Sequence, residues 1–299
     1  MPYAAHRDRD RDRGRDRDVQ DVVWHPLRVR AARHDIPVRV YRPEGGHAGW
    51  LVWGHGGSWR TGSLEGWHAA CADLAGRSGC AVVSVDYRLA PQHRHPAALH
   101  DVLTVLDWAQ ERAAAEGLPP VAVGGDSSGG TIAASAALVR RDRGEPLSAQ
   151  VLAYPPLDPS CRARSYTRYR DNFPSQEGMA AAWRDYRGGN TGAAFPPSTP
   201  FEADSLAGLA PAILGVGAFD PVADDVRAYA RMLRQAGNDV TFHEFPHLLH
   251  GAFLQPAGVG GFRFRDGRSE GADDPRGLRH WLADALSDRL SGPRAAPRL

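Results

Sequence analysis

The sequence predicts an α/β chain in which a mainly parallel sheet is covered by helices on both faces and carries a small cap. Three observations predict it. Short apolar, β-branched segments alternate with helix-patterned segments along most of the 299 residues. The unusual polar clusters (His55-Gly56-Gly57, Asp86, Ser127, Asp220 and His250) follow directly after those apolar segments, and open α/β sheets carry their sites at the carboxyl ends of strands. Finally, 42% hydrophobic and 24% charged residues is the composition of a globular chain able to bury a large core.

The elements follow in order. Residues 7–18 alternate Arg and Asp. A nearly neutral tract without an apolar face has nothing to bury, so residues 1–23 are expected to form a solvated, disordered tail, with the folded domain spanning 24–299. Residues 27–32 and 36–41 alternate around His34-Asp35 and read as an antiparallel hairpin at the sheet edge. Strands are expected at 50–53, 80–85, 121–123, 151–154, 211–216 and 240–245, and helices at 64–77, 99–115, 131–141, 224–236 and 278–290. Between the fourth and fifth of those strands, residues 158–204 lose strand character and carry Arg, Tyr, Trp and Pro, with a helix at 176–186. They read as a cap insertion.

Composition excludes several function classes. All 36 basic residues are arginine and the chain has no lysine, which removes a Walker-type phosphate loop and Schiff-base catalysis. The net charge of +1 gives no field for a nucleic acid partner, and no apolar run reaches membrane-spanning length. Neither a signal-peptide core nor a disulfide framework is seen: Cys71, Cys80 and Cys161 are an odd set, expected as buried thiols in a cytoplasmic protein. His93-Arg94-His95 lacks further correctly spaced ligands, so no metal and no cofactor are expected.

The chemistry centres on Gly125-Asp126-Ser127-Ser128-Gly129, a Gly-x-Ser-x-Gly pattern between a strand and a helix. A nucleophile on so tight a turn sits in a strained backbone, and side chains two residues to either side would collide. The following helix directs free N–H groups and its positive dipole end at the serine. A serine hydroxyl needs a base, and the base an orienting acid. Asp220, ending a strand before Pro221, is preferred as the acid over Asp224 and Asp225, which open the next helix. His250, followed by Gly251, is preferred over His247 as the base, the glycine allowing the loop to approach the elbow closely. Glycines after Trp53 free the backbone N–H groups of their loop to face an oxyanion, with the amide of Ser128 supplying another. His55 is expected to brace that loop.

Taken together, 36–43, His55-Gly56-Gly57, 84–91 with 96–98, Gly125–Gly130, Asp220-Pro221 and His250-Gly251 resemble the hormone-sensitive-lipase-like branch of the α/β-hydrolases over residues 35–255. The resemblance implies that fold, a Ser127–Asp220–His250 triad, an oxyanion hole of the Gly57, Ser58 and Ser128 amides with Gly56 shaping the loop, and an Asp86–Arg88 turn held by an ion pair. Ser58 stands where the family usually has a third glycine, and Gln92 where it has glutamate. Cap helices usual before the first strand are not found in 1–24.

The implied activity is hydrolysis of short acyl groups, acetyl above all, from a small polar metabolite. Ester and amide remain open, since His-Gly-Gly-x-Trp also resembles formamidase-type loops and bacterial acetyl-hydrolases of N-acetylated phosphinothricin-type antibiotics. A non-catalytic ligand-binding member of the fold is the contrasting alternative. Arg162, Arg164, Arg168 and Arg170 in the cap suggest contacts to an anionic group on the substrate, because guanidinium grips carboxylate or phosphorus oxyanions bidentately.

Overall fold

A computed structural model of the chain describes residues 6–8, 20–188, 196–255 and 277–291. Nine strands form one sheet in the order β1-β2-β3-β5-β4-β6-β7-β8-β9. These are β1 (His6–Asp8), β2 (Val22–Arg30), β3 (Asp35–Pro43), β4 (Trp50–Gly54), β5 (Ala81–Val85), β6 (Ala122–Asp126), β7 (Gln150–Ala153), β8 (Ala212–Gly217) and β9 (Val240–Phe245). The first three and the β3–β5 pair are antiparallel, and every pair from β5 to β9 is parallel.

The edge hairpin is longer than the sequence predicts, beginning at Val22 and closing with Arg30 opposite Asp35. Most β2 side chains are at least partly exposed, which hides the alternation by which a half-buried strand is read. Of the expected tail, 1–23, residues 6–8 form a strand paired with β2, and 20–23 lead into β2, whose first two residues they supply, so the folded part begins earlier than expected; the rest of the Arg/Asp tract lies outside the described residues.

The central strands are buried along their whole length, β4, β5, β6, β7 and β8 alike. Each fully buried Val, Leu or Ile there is worth about 1.5–3 kcal/mol of transfer free energy, which is why these short apolar runs were legible as strands. The chain leaves β4 for β5 on one side, then crosses back to place β6 on the other side of β4. That reversal opens a crevice at the carboxyl ends of β4 and β6, where Gly54 and Gly125 are in register.

Helices α1 (His68–Ser78), α2 (Ala97–Ala115), α3 (Ser128–Asp142), α6 (Ala223–Gln235) and α7 (Gly277–Leu290) accompany the sheet, and α4 (Arg164–Arg168) and α5 (Gln176–Arg187) belong to the expected cap. Helix α3 starts three residues earlier than expected, at Ser128, because Gly129 and Gly130 are poor helix formers that the tertiary setting overrides. Its alanines 133, 134, 136 and 137 are buried, so it lies close to the sheet. Helix α7 is bound to α1 by a two-bond ion pair, Arg77 Nε and Nη2 donating to the two Asp284 carboxylate oxygens at 3.1 Å each. Its Arg279 also donates to the carbonyls of Phe253 and Gln255.

Candidate active site

Ser127 ends the turn from β6 to α3 with φ +50° and ψ −123°. This is the strained left-handed backbone that the elbow pattern predicts. The surrounding glycines are required by contact: a Cβ on Gly129 would stand 2.0 Å from the Gly54 carbonyl oxygen, and one on Gly125 would stand 2.4 Å from the Gly129 carbonyl carbon. The helix therefore seats directly on the end of β4, with its first amide, that of Ser128, free of any intrahelical acceptor.

The structure brings Ser127, Asp220 and His250 together. Ser127 Oγ lies 2.9 Å from His250 Nε2, and His250 Nδ1 donates to Asp220 Oδ2 over 2.9 Å. Asp220 is fully buried and its other oxygen accepts from the Val222 amide at 2.9 Å, so the carboxylate is fixed in the plane it presents to the imidazole. The base loop packs tightly on β8: a Cβ on Gly217 would meet the Leu248 carbonyl oxygen at 2.0 Å. Gly251 has a different role from the expected close approach. Its φ is +87°, and nothing lies within 4 Å of where its Cβ would be, so it is a turn residue.

The loop expected to supply the oxyanion hole follows β4. Gly57 has φ +116°, and a Cβ there would lie 2.1 Å from the Thr61 carbonyl oxygen. Its own carbonyl accepts from the amides of Arg60 and Thr61, closing a tight turn that holds the Gly57–Ser58 peptide at the end of the strand. Ser58 and Trp59 also sit at positive φ, +55° and +59°, a conformation costing about 1–2 kcal/mol per non-glycine residue. The indole of Trp59 offsets this by stacking on Tyr186, with centroids 4.7 Å apart at 9°, and by packing against Trp183 at 4.4 Å. The Ser58 departure is thus accommodated by the cap.

Asp126, inside the elbow motif, has a part that sequence reasoning missed. Its Oδ1 accepts from Trp67 Nε1 at 2.8 Å, from the Gly56 amide at 3.2 Å and from Trp53 Nε1 at 3.3 Å. Burial pushes its carboxyl up to about 7, the three donors holding it partly back. It ties the oxyanion loop to the elbow. His55 braces the same loop as expected: Nδ1 donates to the Gly56 carbonyl, the ring stacks on Tyr87 at 4.3 Å, and the Tyr87 hydroxyl donates to the His55 carbonyl. Burial lowers its pKa to about 4, keeping it neutral. Tyr154, also unanticipated, packs its ring 4.7 Å from that of His250, and its hydroxyl accepts from the Phe253 amide.

Residues 51–254 match the family described as alpha/beta hydrolase fold. The chain belongs to that family. Within it, the chain is similar to the carboxylic ester hydrolase LipN of Mycobacterium tuberculosis, 39% identical over 79% of this chain and 65% of LipN. It is 32% identical to an acetyl-hydrolase of Streptomyces hygroscopicus over 67% of each chain. Among solved structures, esterase LipW from Mycobacterium marinum superposes with a TM-score of 0.78 at 34% identity, covering 91% of this chain and 83% of LipW. The chain thus spans about two thirds of the length of the two sequence relatives.

Other expectations for this alpha/beta hydrolase need correction. Arg162, Arg164 and Arg168 do not join Ser127. They line a separate cavity of about 600 Å³ with Ser165, Thr167, Tyr169, Asp224 and Arg227, and Arg170, exposed like them, is not among its walls. The physical reason is that α4 is pinned to the loop of Asp220 and the start of α6: the buried Ser165 hydroxyl donates to the Pro221 carbonyl, and its amide donates to Asp224. That leaves the arginines to solvent. Arg88 pairs with Asp101 rather than Asp86, its Nε and Nη2 donating to that carboxylate at 2.9 Å. Asp224 and Asp225 lie in the first turn of α6 and serve the cap connection, Asp225 accepting from the amides of Leu157 and Asp158. His95 is no ligand candidate: its ring nitrogens lie against the Tyr186 hydroxyl and the Pro196 carbonyl.

Proposed function

We propose that this chain is a serine carboxylic ester hydrolase of short acyl esters, with Ser127 as nucleophile, His250 as general base and acid, and Asp220 as the orienting carboxylate. The observation that carries it is the continuous Ser127–His250–Asp220 relay, two contacts of 2.9 Å, at the end of β6 in a family member similar to named ester hydrolases. Ser127 Oγ attacks the acyl carbon as its proton passes to His250 Nε2, and Asp220 stabilises the imidazolium. The amides of Gly57, Ser58 and Ser128 receive the oxyanion; each such donor is worth about 3–4 kcal/mol of transition-state stabilisation. Collapse of the intermediate breaks the C–O bond, and His250 returns the proton to the leaving alcohol. Water, deprotonated by the same imidazole, then releases the acid and restores Ser127.

Residues 158–204 act in this proposal as the cap. Arg162, Arg164 and Arg168 line another cavity, so the proposal assigns them no contact with the substrate. Buried free thiols at Cys71, Cys80 and Cys161 support a reducing, cytoplasmic setting, and among the described residues no helix is long and apolar enough to cross a membrane.

Fluorophosphonate labelling and hydrolysis of p-nitrophenyl acetate test the proposal together. Ser127→Ala should abolish the adduct and lower kcat on the order of 10⁴–10⁶-fold. An unlabelled Ser127 in folded protein would overturn it in favour of a ligand-binding role. Similarity to an acetyl-hydrolase favours a second reading, removal of N-acetyl groups. Paired acetyl esters and N-acetyl amines of matched structure decide between them by kcat/KM.

A further inference from the structure

One side chain meets the triad from the cap and has no role in the chemistry above. Phe173 is 70% exposed, the most exposed large hydrophobic residue among those described, and its ring stands edge-on to the imidazole of His250, centroids 5.7 Å apart at 66°. A lone exposed phenylalanine on a loose loop would carry no meaning. This one is held in place. Asn172 Nδ2 donates to the carbonyl of Phe219, the residue before Asp220, at 2.8 Å. The ring of Tyr169 packs on Phe219 at 5.6 Å, and Pro174 is buried. The backbone on both sides of Phe173 is thus fastened, in part directly to the loop of the acid, while the ring is left facing solvent beside the base.

The position relative to His250 says which half of an ester would cover it. In acyl transfer the protonated Nε2 delivers its proton to the oxygen of the departing alcohol. The alcohol half therefore lies on the imidazole side of Ser127, and the acyl half lies away from it. We propose that Phe173 is the wall of an alcohol-side subsite, and that it selects esters whose alcohol carries an aromatic or bulky apolar group. Such a group covers the exposed ring and packs against it in the edge-to-face or offset geometry that aromatic rings favour. Arg162, Arg164 and Arg168, by contrast, line the separate cavity. The inference rests on the ester-hydrolase proposal, and it replaces the small polar metabolite expected from the sequence with an apolar alcohol partner.

The test compares benzyl acetate with 2-methoxyethyl acetate, whose alcohols are of similar acidity. Both give the same acetyl-enzyme, so differences in kcat/KM arise in acylation alone. Phe173→Ala should lower kcat/KM for benzyl acetate about tenfold, the scale of one lost apolar contact in a binding pocket, and change that for 2-methoxyethyl acetate by less than about twofold. Phe173→Leu, which keeps an apolar surface, should recover most of the loss. Equal losses on both esters would overturn the proposal, since they would make Phe173 a support for His250. No loss on either would overturn it too, and so would a loss that follows acyl length when benzyl acetate is compared with benzyl butyrate. Failure of the ester-hydrolase proposal itself is distinguishable: the unmodified protein would then cleave none of these esters and take no fluorophosphonate label.

Discussion

The glycine junction beneath Ser127 and the cap segment beside it both reach the triad, and they are built by opposite rules. At the junction, Gly54, Gly125 and Gly129 bring backbone against backbone, every residue from Ala122 to Gly130 is buried, and an added methyl on Gly125 or Gly129 has no space. In the cap, Arg162, Arg164, Arg168, Arg170 and Phe173 are exposed, and the segment is held by hydrogen bonds from Ser165 and Asn172 to the acid loop. In the proposed reaction the first region fixes where charge develops, and in the proposed subsite the second selects the alcohol. Chemistry that every turnover repeats is placed in a setting that cannot vary, and selection is placed on side chains that can change without disturbing it.

Three single substitutions and a set of four arginine replacements probe that contrast, in decreasing order of effect. Gly129→Ala places a methyl 2.0 Å from the Gly54 carbonyl oxygen, between two backbones that cannot both yield. It should cost at least about 3 kcal/mol in denaturant unfolding or prevent folding outright; wild-type stability would break the picture of a locked junction. Gly57→Ala, forced against Thr61 at φ +116°, should displace an oxyanion amide and reduce kcat about 10²–10³-fold with KM little changed, read by steady-state kinetics on a short ester.

Asp126→Asn keeps an acceptor for Trp53, Trp67 and the Gly56 amide while removing the buried charge. Because burial raises the Asp126 carboxyl to about 7 in the folded state, the fold holds that proton more tightly than the unfolded chain does. Its contribution to stability is complete below the ordinary carboxyl pKa and is lost as pH rises through about 7. Relative to wild type, Asp126→Asn should therefore gain about 2–4 kcal/mol between pH 4 and 8, measured by unfolding at each pH; a difference independent of pH would refute it. Replacing Arg162, Arg164, Arg168 and Arg170 singly by Gln should move stability by no more than about 0.5 kcal/mol and leave ester kinetics unchanged. A rise in KM at any one of them would bring the arginine face back into the active site.

The sequence made the junction legible and the cap much less so, for reasons visible in the residues. Ser127, Asp220 and His250 each follow an apolar strand, and the glycines around Ser127 answer a local steric demand, so period and spacing sufficed. The brace at Asp126 depends on Trp53 and Trp67 arriving from two other elements, and no local pattern reports such an approach. Trp59 was visible beside the oxyanion loop, but its stack on Tyr186 joins residues 127 positions apart. The arginines were counted correctly and aimed wrongly, because composition says how many charges a segment holds and the buried Ser165 decides which way they face. Arg88 likewise found Asp101, one turn into α2, instead of the Asp86 two residues before it; side chains two apart in an extended run point the same way but reach no common turn.

Helix α7 gives the site a place in time as well as in space. Its Arg279 clasps the carbonyls of Phe253 and Gln255, just beyond the base, yet it is synthesised after Ser127, Asp220 and His250. A nascent chain that already carries all three still lacks the clasp on the loop of His250. The hold on the loop of His250 is thus completed only when a helix made after all three residues has docked on the sheet.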